Sequence, residues 1–265
     1  MELANHLAVA VRAAERAALV LADWRRRFTV REKGRADLVT EADEAAQSAI
    51  HSVILEAFPD HGFLGEEGPA CAAPAADSPP TWIVDPIDGT TNYVHDVPCY
   101  AISIALMMHG ELVLGVVYDP VRAELFHATR GGGAYLGNTP IHVSQVRQLD
   151  QSLLTVGFPP DPIGHEIQLE RWRKLSLGSH GLRRTGSTAI NLAYVAAGRF
   201  EGFFADGLKV WDVAGGVVLV REAGGRVTHI DDASYDPFRP QILATNGMIH
   251  EKIRQMCLES QSAGI

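Results

Sequence analysis

The chain has 265 residues, room for one large domain or two at about 150 residues each, and its 46 % hydrophobic and 21 % charged content excludes disorder, coiled coil and fibrous repeats. Its formal net charge of -9, from 23 basic against 32 acidic residues, argues against nucleic acid as a substrate, and an anionic ligand entering that field calls for bound cations. The longest strongly apolar stretch, Val97 to Met108, is about half the ~20 residues that a membrane-spanning helix needs.

At the N-terminus, Glu2 comes early and the basic cluster follows the apolar part, the reverse of a signal peptide. Three cysteines, Cys71, Cys99 and Cys257, share no C-x-x-C spacing and suggest neither a disulfide framework nor a zinc site, so a reducing cytoplasm is expected. Leu3, Leu7, Ala10, Ala14, Ala17 and Leu21 recur at helical steps and predict an amphipathic helix over 2 to 27. Thr40-Glu41-Ala42-Asp43 matches a capping box that opens a second helix, with Ala46, Ile50, Val53, Ile54 and Ala57 on one side and Pro59 as its stop. Pro69 to Pro80, rich in Ala and Pro, reads as a surface loop.

From Trp82 the pattern turns to strands: Trp82-Ile83-Val84, Tyr100 to Met108, Leu112 to Tyr118 and Glu124 to Thr129, joined by turns at His109-Gly110 and Asp119-Pro120. After a turn at Gly137-Asn138 come a strand at Leu153 to Val156, a polar helix at Glu166 to Leu177 and a helix at Ser187 to Ala197. A strand at Phe200 to Ala205, a helix at Val213 to Glu222 closed by Gly224-Gly225, a strand near Ile242 to Ala244 and a helix from Met248 complete the chain. Two α/β halves, 1–145 and 146–265, are the simplest organisation.

The sharpest chemical feature is Trp82-Ile83-Val84-Asp85-Pro86-Ile87-Asp88-Gly89-Thr90-Thr91-Asn92, where a buried-type strand runs into two carboxylates three residues apart. Pro86 keeps Asp85 extended, and the Gly-Thr-Thr that follows can offer backbone N–H groups to a phosphate. A bare D-x-x-D-G also reads as a tight turn. Two further acidic places weigh against that: Gly65-Glu66-Glu67-Gly68 after an apolar pair, and Trp211-Asp212 opening a helix, with Asp212 placed as an N-cap. His95, His142 and His180 read as surface or satisfied histidines. Gly131-Gly132-Gly133 lacks the G-x-x-x-x-G-K-[ST] pattern and reads as a hairpin connection; Arg183-Arg184 offers charge for substrate phosphate or a protein partner, with solvated cations at a helix edge as the default reading.

Asp37-Leu38-Val39-Thr40 with Asp43, Gly65-Glu66-Glu67, Trp82 to Asn92, and Trp211-Asp212-Val213-Ala214-Gly215 with Glu222-Ala223-Gly224-Gly225 together resemble the inositol monophosphatase family, over nearly the whole chain. The resemblance implies a layered α/β/α/β/α sandwich, commonly a homodimer, that hydrolyses a small-molecule phosphate monoester with two or three Mg²⁺ ions through a metal-activated water and no phosphoenzyme. An oxygen-only donor set suits hard Mg²⁺ better than zinc. By resemblance, Glu66, Asp85 and the Ile87 carbonyl hold one ion, Asp85 bridges to a second completed by Asp88 and Asp212, and a third leans on Glu66. Thr90, hydrogen-bonded to Asp43, orients the water together with Glu66, while the N–H groups of Gly89 and Thr90 hold the phosphate. Glu67 is placed as structural, and Lys33 and Asp37 in a loop that touches the metal site. Inhibition by Li⁺ is a further implication.

Specificity is assigned by the resemblance to Gly186-Ser187-Thr188 and Phe203 to Gly207, together with Asp88 and Asp212. Here the chain departs from inositol-handling relatives, with Ala205 where they carry a Glu and Thr188 where they carry an Ala. Losing a carboxylate that accepts from ring hydroxyls costs about 1–3 kcal/mol per lost partner, which puts inositol itself in question. Asp206 takes over that role only if the strand end bulges. Histidinol phosphate, fructose 1,6-bisphosphate and 3′-phosphoadenosine 5′-phosphate are the competing substrates. The competing class is a regulatory protein contacting the transcription machinery.

Overall fold

The computed structural model describes residues 2–34, 37–68, 73–75, 77–159 and 165–262. Helix α1 (Glu2–Trp24) leads into a hairpin of β1 (Val30–Gly34) and β2 (Asp37–Thr40), then α2 (Glu41–Ala57). There follow β3 (Gly62–Gly65), β4 (Thr81–Asp88), a short α3 (Thr90–Val94), and the strands β5 (Ala101–Met108), β6 (Glu111–Asp119), β7 (Glu124–Thr129), β8 (Gly133–Leu136) and β9 (Thr139–Ile141). The remainder runs β10 (Leu153–Val156), α4 (Glu166–Gly178), β11 (Gly181–Arg183), α5 (Thr188–Ala196), β12 (Gly202–Asp206), α6 (Val210–Glu222), β13 (Arg226–Thr228), β14 (Gln241–Thr245) and α7 (His250–Ser262).

Strands β3 to β9 form one sheet in sequence order, parallel only at β3–β4; β10 to β14 form a second, in the order β11-β10-β12-β14-β13. Alternation along the central strands buries both sheet faces. In β4 and β5, Trp82, Val84, Ile102, Ile104 and Leu106 meet α1 and α2, while Ile83, Ala101, Ala105 and Met107 join the core shared with α5 and α6. That middle core continues into the second sheet through Phe203, Ala205, Ile242 and Ala244, and the opposite face of that sheet, with Phe204 and Leu243, packs on α4 and α7. The layers are therefore α/β/α/β/α. No helix among the described residues is long and apolar enough to cross a membrane.

The longer elements match the sequence periodicity, and the differences lie at ends and in short strands. Helix α6 begins at Val210, so Asp212 is its third residue and accepts the N–H of Lys209 at 2.8 Å instead of capping from outside. Arg183 ends strand β11 and is not at a helix edge. The last helix starts at His250, because Asn246 accepts the amides of Met248 and Ile249 and holds them in a turn. Gly131-Gly132-Gly133 does connect β7 and β8, and the Glu222 carboxylate accepts the Gly131 and Gly133 amides at 3.0 Å each, leaving no phosphate loop. Cys71 and part of the Pro69 to Pro80 segment lie outside the described residues.

One buried imidazole ties α7 to the second sheet. The Thr228 hydroxyl donates to the His229 carbonyl at 2.6 Å, so it accepts from His250 Nε2–H at 3.0 Å, and Nδ1 accepts from the Thr245 hydroxyl at 2.9 Å. Burial of this neutral ring is the chief cause of a His250 pKa lowered to about 4. An unfolded chain takes up the proton near pH 6.5, so stability present at neutral pH is lost as pH falls from about 6.5 to 4, by about 2–3 kcal/mol. Thermal unfolding of wild type and His250→Gln at pH 7.5 and 4.5 should show a smaller acid loss in the variant; equal losses would remove His250 as the cause.

Candidate active site

Asp85 and Asp88 are three residues apart, and strict alternation would send them to opposite faces. The β4–β5 register pairs Asp85 with Ser103 and Asp88 with Ala101, so Pro86 and Ile87 oppose Ile102 alone. This one-residue bulge, at a proline that has no ladder N–H to lose, turns both carboxylates towards α6 while Ile87 joins the core under α1 and α2. Glu66 follows β3, the parallel neighbour of β4, and its N–H donates to the Val84 carbonyl at 3.0 Å. It thereby stands beside Asp85. Gln47 of α2 clamps the Glu66-Glu67 turn, accepting the Glu67 N–H at 2.9 Å and donating to the Glu67 carbonyl. Asp212 enters from the first turn of α6.

Burial is the largest force on these acids. Asp85, only 1 % exposed, is held well above the usual carboxylate range by burial first, then by the charges of Glu66, Asp88 and Asp212, and it makes no ion pair among the described residues. Asp212 is raised well above its ordinary value for the same first reason, with the Lys209 N–H working the other way. Asp88 is pushed up to about 6 by burial, opposed by three donors: the Ser187 hydroxyl, the Thr188 N–H at 3.1 Å and the Ala189 N–H at 2.7 Å. Asp85, Asp88 and Asp212 in such surroundings take up protons unless cations join them. Among the described residues, no three acidic, histidine or cysteine side chains stand close enough to hold an ion as they are. The donor set, carboxylates with the Ile87 carbonyl nearby and neither sulfur nor imidazole, fits a hard divalent ion.

The capping box is present: Thr40 accepts the Ala42 N–H at 3.1 Å, and Asp43 Oδ2 accepts the Thr40 N–H at 2.8 Å and its hydroxyl at 2.7 Å. Capping leaves Asp43 Oδ1 for the Thr90 hydroxyl at 3.0 Å, so one buried carboxylate serves both helix and site. Thr90 also faces the Ile87 carbonyl at 3.1 Å, and its single proton can satisfy only one of these two acceptors. Gly89, at φ 104°, allows the turn between strand and α3; a Cβ there would stand 3.1 Å from the Cys99 carbonyl and 3.2 Å from that of Gly186.

A cavity of about 490 Å³ opens beside this cluster, and Asp88, Gly89, Thr90, Gly186, Ser187, Thr188 and Asp212 all line it. Asp85 lies buried behind it. Of Phe203 to Gly207 only Gly207 reaches the wall. Ala205 is fully buried, with its Cβ against Gly157, and Asp206 pairs in regular register with Gln241 and reaches the buried Arg171. No bulge brings Asp206 into the cavity. Lys33 and Asp37 lie in β1 and β2, with their side chains outside the described residues. His95 and His180 are exposed and take no part. Sequence reasoning did not foresee the role of Asn92, whose amide donates to the Cys99 carbonyl at 2.6 Å and the Thr185 carbonyl at 2.9 Å; of the arginine pair weighed for a phosphate, Arg184 stands in the cavity wall. Asn92 and Thr185 are 93 positions apart, beyond the reach of any local signal.

Five alternating layers with a bulged strand that delivers paired carboxylates to a cavity define the architecture of a layered sugar-phosphatase-type protein. The family model described as "Inositol monophosphatase family" matches residues 2–262, and the chain belongs to that family. It is 43 % identical over 234 residues to a Synechocystis protein named inositol-1-monophosphatase, covering 88 % of this chain and 81 % of that one. Over 229 residues it is 41 % identical to the Nus factor SuhB of Haemophilus influenzae, covering 85 % of each. The solved inositol monophosphatase of Anabaena superposes with a TM-score of 0.86 at 36 % identity, covering 98 % of this chain and 97 % of that one.

Proposed function

We propose that this chain is a Mg²⁺-dependent phosphoric monoester hydrolase of the inositol monophosphatase type, acting on a small-molecule phosphate ester as a cytoplasmic homodimer. The observation that carries the reading is the convergence of acids from three distant segments: the buried Asp85 stands among Glu66, Asp88 and Asp212, and Asp88, Asp212 and Thr90 line the adjacent cavity. Glu66, Asp85 and the Ile87 carbonyl would hold a first ion, Asp85, Asp88 and Asp212 a second, and Glu66 would also support a weaker third. The chemistry supplied by bound Mg²⁺ is neutralisation of phosphoryl charge and acidification of water.

The remaining work falls to the chain. The Thr90 hydroxyl donates to Asp43 Oδ1, so its Oγ1 lone pairs would accept a hydrogen bond from the attacking water, and Glu66 would accept that water's second hydrogen bond and fix its line of approach. The Gly89 and Thr90 N–H groups hold the phosphate oxygens, and Ser187, Thr188 and Ala189 keep Asp88 in one rotamer. Closely placed carboxylates repel an ester dianion on their own, so turnover requires the ions.

Phosphate release should be measured with inositol 1-phosphate, glycerol, histidinol and 3′-phosphoadenosine phosphates and fructose 1,6-bisphosphate, with Mg²⁺ and with chelator. Turnover on at least one ester, lost with chelator and inhibited by Li⁺, is expected; no Mg²⁺-dependent release on any would refute the reading. A second reading rests on relatives of similar identity named Nus factor SuhB. In that reading the same fold also contacts the transcription machinery, and Asp85→Asn would still capture its components from native extract while losing turnover.

A further inference from the structure

The cavity carries a charge pattern that hydrolysis alone leaves unused. Among the described residues, its charged lining side chains are Asp88 and Asp212, on the ion side, and Arg184. Arg184 directly follows β11, and its guanidinium carbon stands 5.1 Å from the centre of the Phe158 ring, which also lines the cavity. Stacking of this kind holds the guanidinium plane and leaves its N–H edges for an oxyanion. Arg171 and Arg199 are each committed to a carboxylate, Asp206 and Glu124, whereas Arg184 makes no ion pair among the described residues.

Among the described residues, the lining offers no carboxylate away from the ion side. The position where the family resemblance places a Glu is Ala205, buried behind the wall, and Arg171 draws Asp206 away. Among the described residues, what lines the cavity apart from the two acids is hydroxyl, amide, apolar surface and one cation. A volume of about 490 Å³ is ample for an ester larger than its phosphoryl group. We propose that the alcohol portion of the substrate carries a second anionic group, phosphate or carboxylate, received by the Arg184 guanidinium. This rests on the phosphatase reading and narrows its substrate class. The arginine also offsets part of the repulsion that a chain of net charge -9 exerts on a doubly anionic ligand.

The test compares matched esters with and without the second anion at saturating Mg²⁺: fructose 1,6-bisphosphate against fructose 1-phosphate, and 3-phosphoglycerate against glycerol 3-phosphate. In wild type at least one pair should show a kcat/KM ratio of about tenfold or more, expressed mainly in KM, and the pair that does so identifies the anion. Arg184→Gln should bring that ratio below about threefold, and Arg184→Lys should restore part of it. Ratios near one in wild type, or a ratio that survives in R184Q, would overturn the proposal. Thermal shifts by the same four compounds read binding without turnover. If no ester is hydrolysed, the phosphatase reading fails, while a shift difference within either pair that R184Q erases supports the anion site and the lack of one sinks it.

Discussion

Asp85→Asn is expected to abolish Mg²⁺-dependent phosphate release, by about a thousandfold or more, while leaving the metal-free protein as stable as wild type or several degrees more so. The two effects share a cause. Asp85 is buried among three other acids, and its pKa is raised first by burial and then by their charges. A carboxyl whose folded pKa exceeds its unfolded value contributes stability that is full below about pH 4 and lost as pH rises through the folded pKa. At neutral pH the metal-free fold therefore bears the cost of a buried charge or of an extra bound proton, and a neutral amide of the same shape bears neither. Divalent ions reverse the balance, because they stabilise only the ionised, folded arrangement. Unfolding curves of both proteins should thus cross: with chelator the variant is equal or ahead, and with millimolar Mg²⁺ the wild type is ahead. A metal-induced shift in D85N equal to that of wild type would remove Asp85 as the bridging ligand. Asp88, at about 6 and held by three donors, predicts the same trend with a smaller gain.

How much of this was legible beforehand depends on distance along the chain. Capping boxes, hairpin turns and the alternation of Trp82 to Val84 are local patterns, and the elements they predict are present with ends moved by a few residues. The D-P-I-D spacing could be read as paired acids but not as a bulge, since the bulge is a property of the pairing with β5. Ser187 was legible as part of the cavity but not as a donor to Asp88, 99 positions away. That Arg184 and not Arg183 faces the cavity is not legible in the sequence, because nothing near it announces Phe158, over whose ring its guanidinium lies. The short strands β1, β3, β11 and β13, of three to five residues each, carry too few positions for period-2 alternation to register.

The second large effect is expected at a place with no chemistry of its own. Helix α6 lies on β6 with backbone against backbone: a Cβ on Gly115 would stand 2.2 Å from the Gly215 carbonyl oxygen, and one on Gly215 would stand 2.8 Å from Ser103 Oγ. The neighbours of Gly115 across the sheet are Ala105 and Ala128, so a row of small residues admits the helix at this depth. Gly115→Ala needs no unusual φ; its penalty is steric, and the atom it strikes is backbone that cannot rotate away. A loss of about 3 kcal/mol or more is expected, or roughly 10 °C in Tm. Asp212 lies one turn before Gly215 on the same helix, so lifting α6 also moves a carboxylate from the ion site, and a displacement near 1 Å costs about a hundredfold in kcat. Val116→Ala provides the contrast, for Val116 is the next residue of β6 and faces α1 and α2 instead. It should lose about 2 kcal/mol of stability with kcat unchanged. If the two variants lose kcat in proportion to their stability, the depth of α6 does not set the position of Asp212; if only Gly115→Ala does, the close approach of two glycines is what aims a carboxylate contributed by the second half of the chain at a site built mostly from the first.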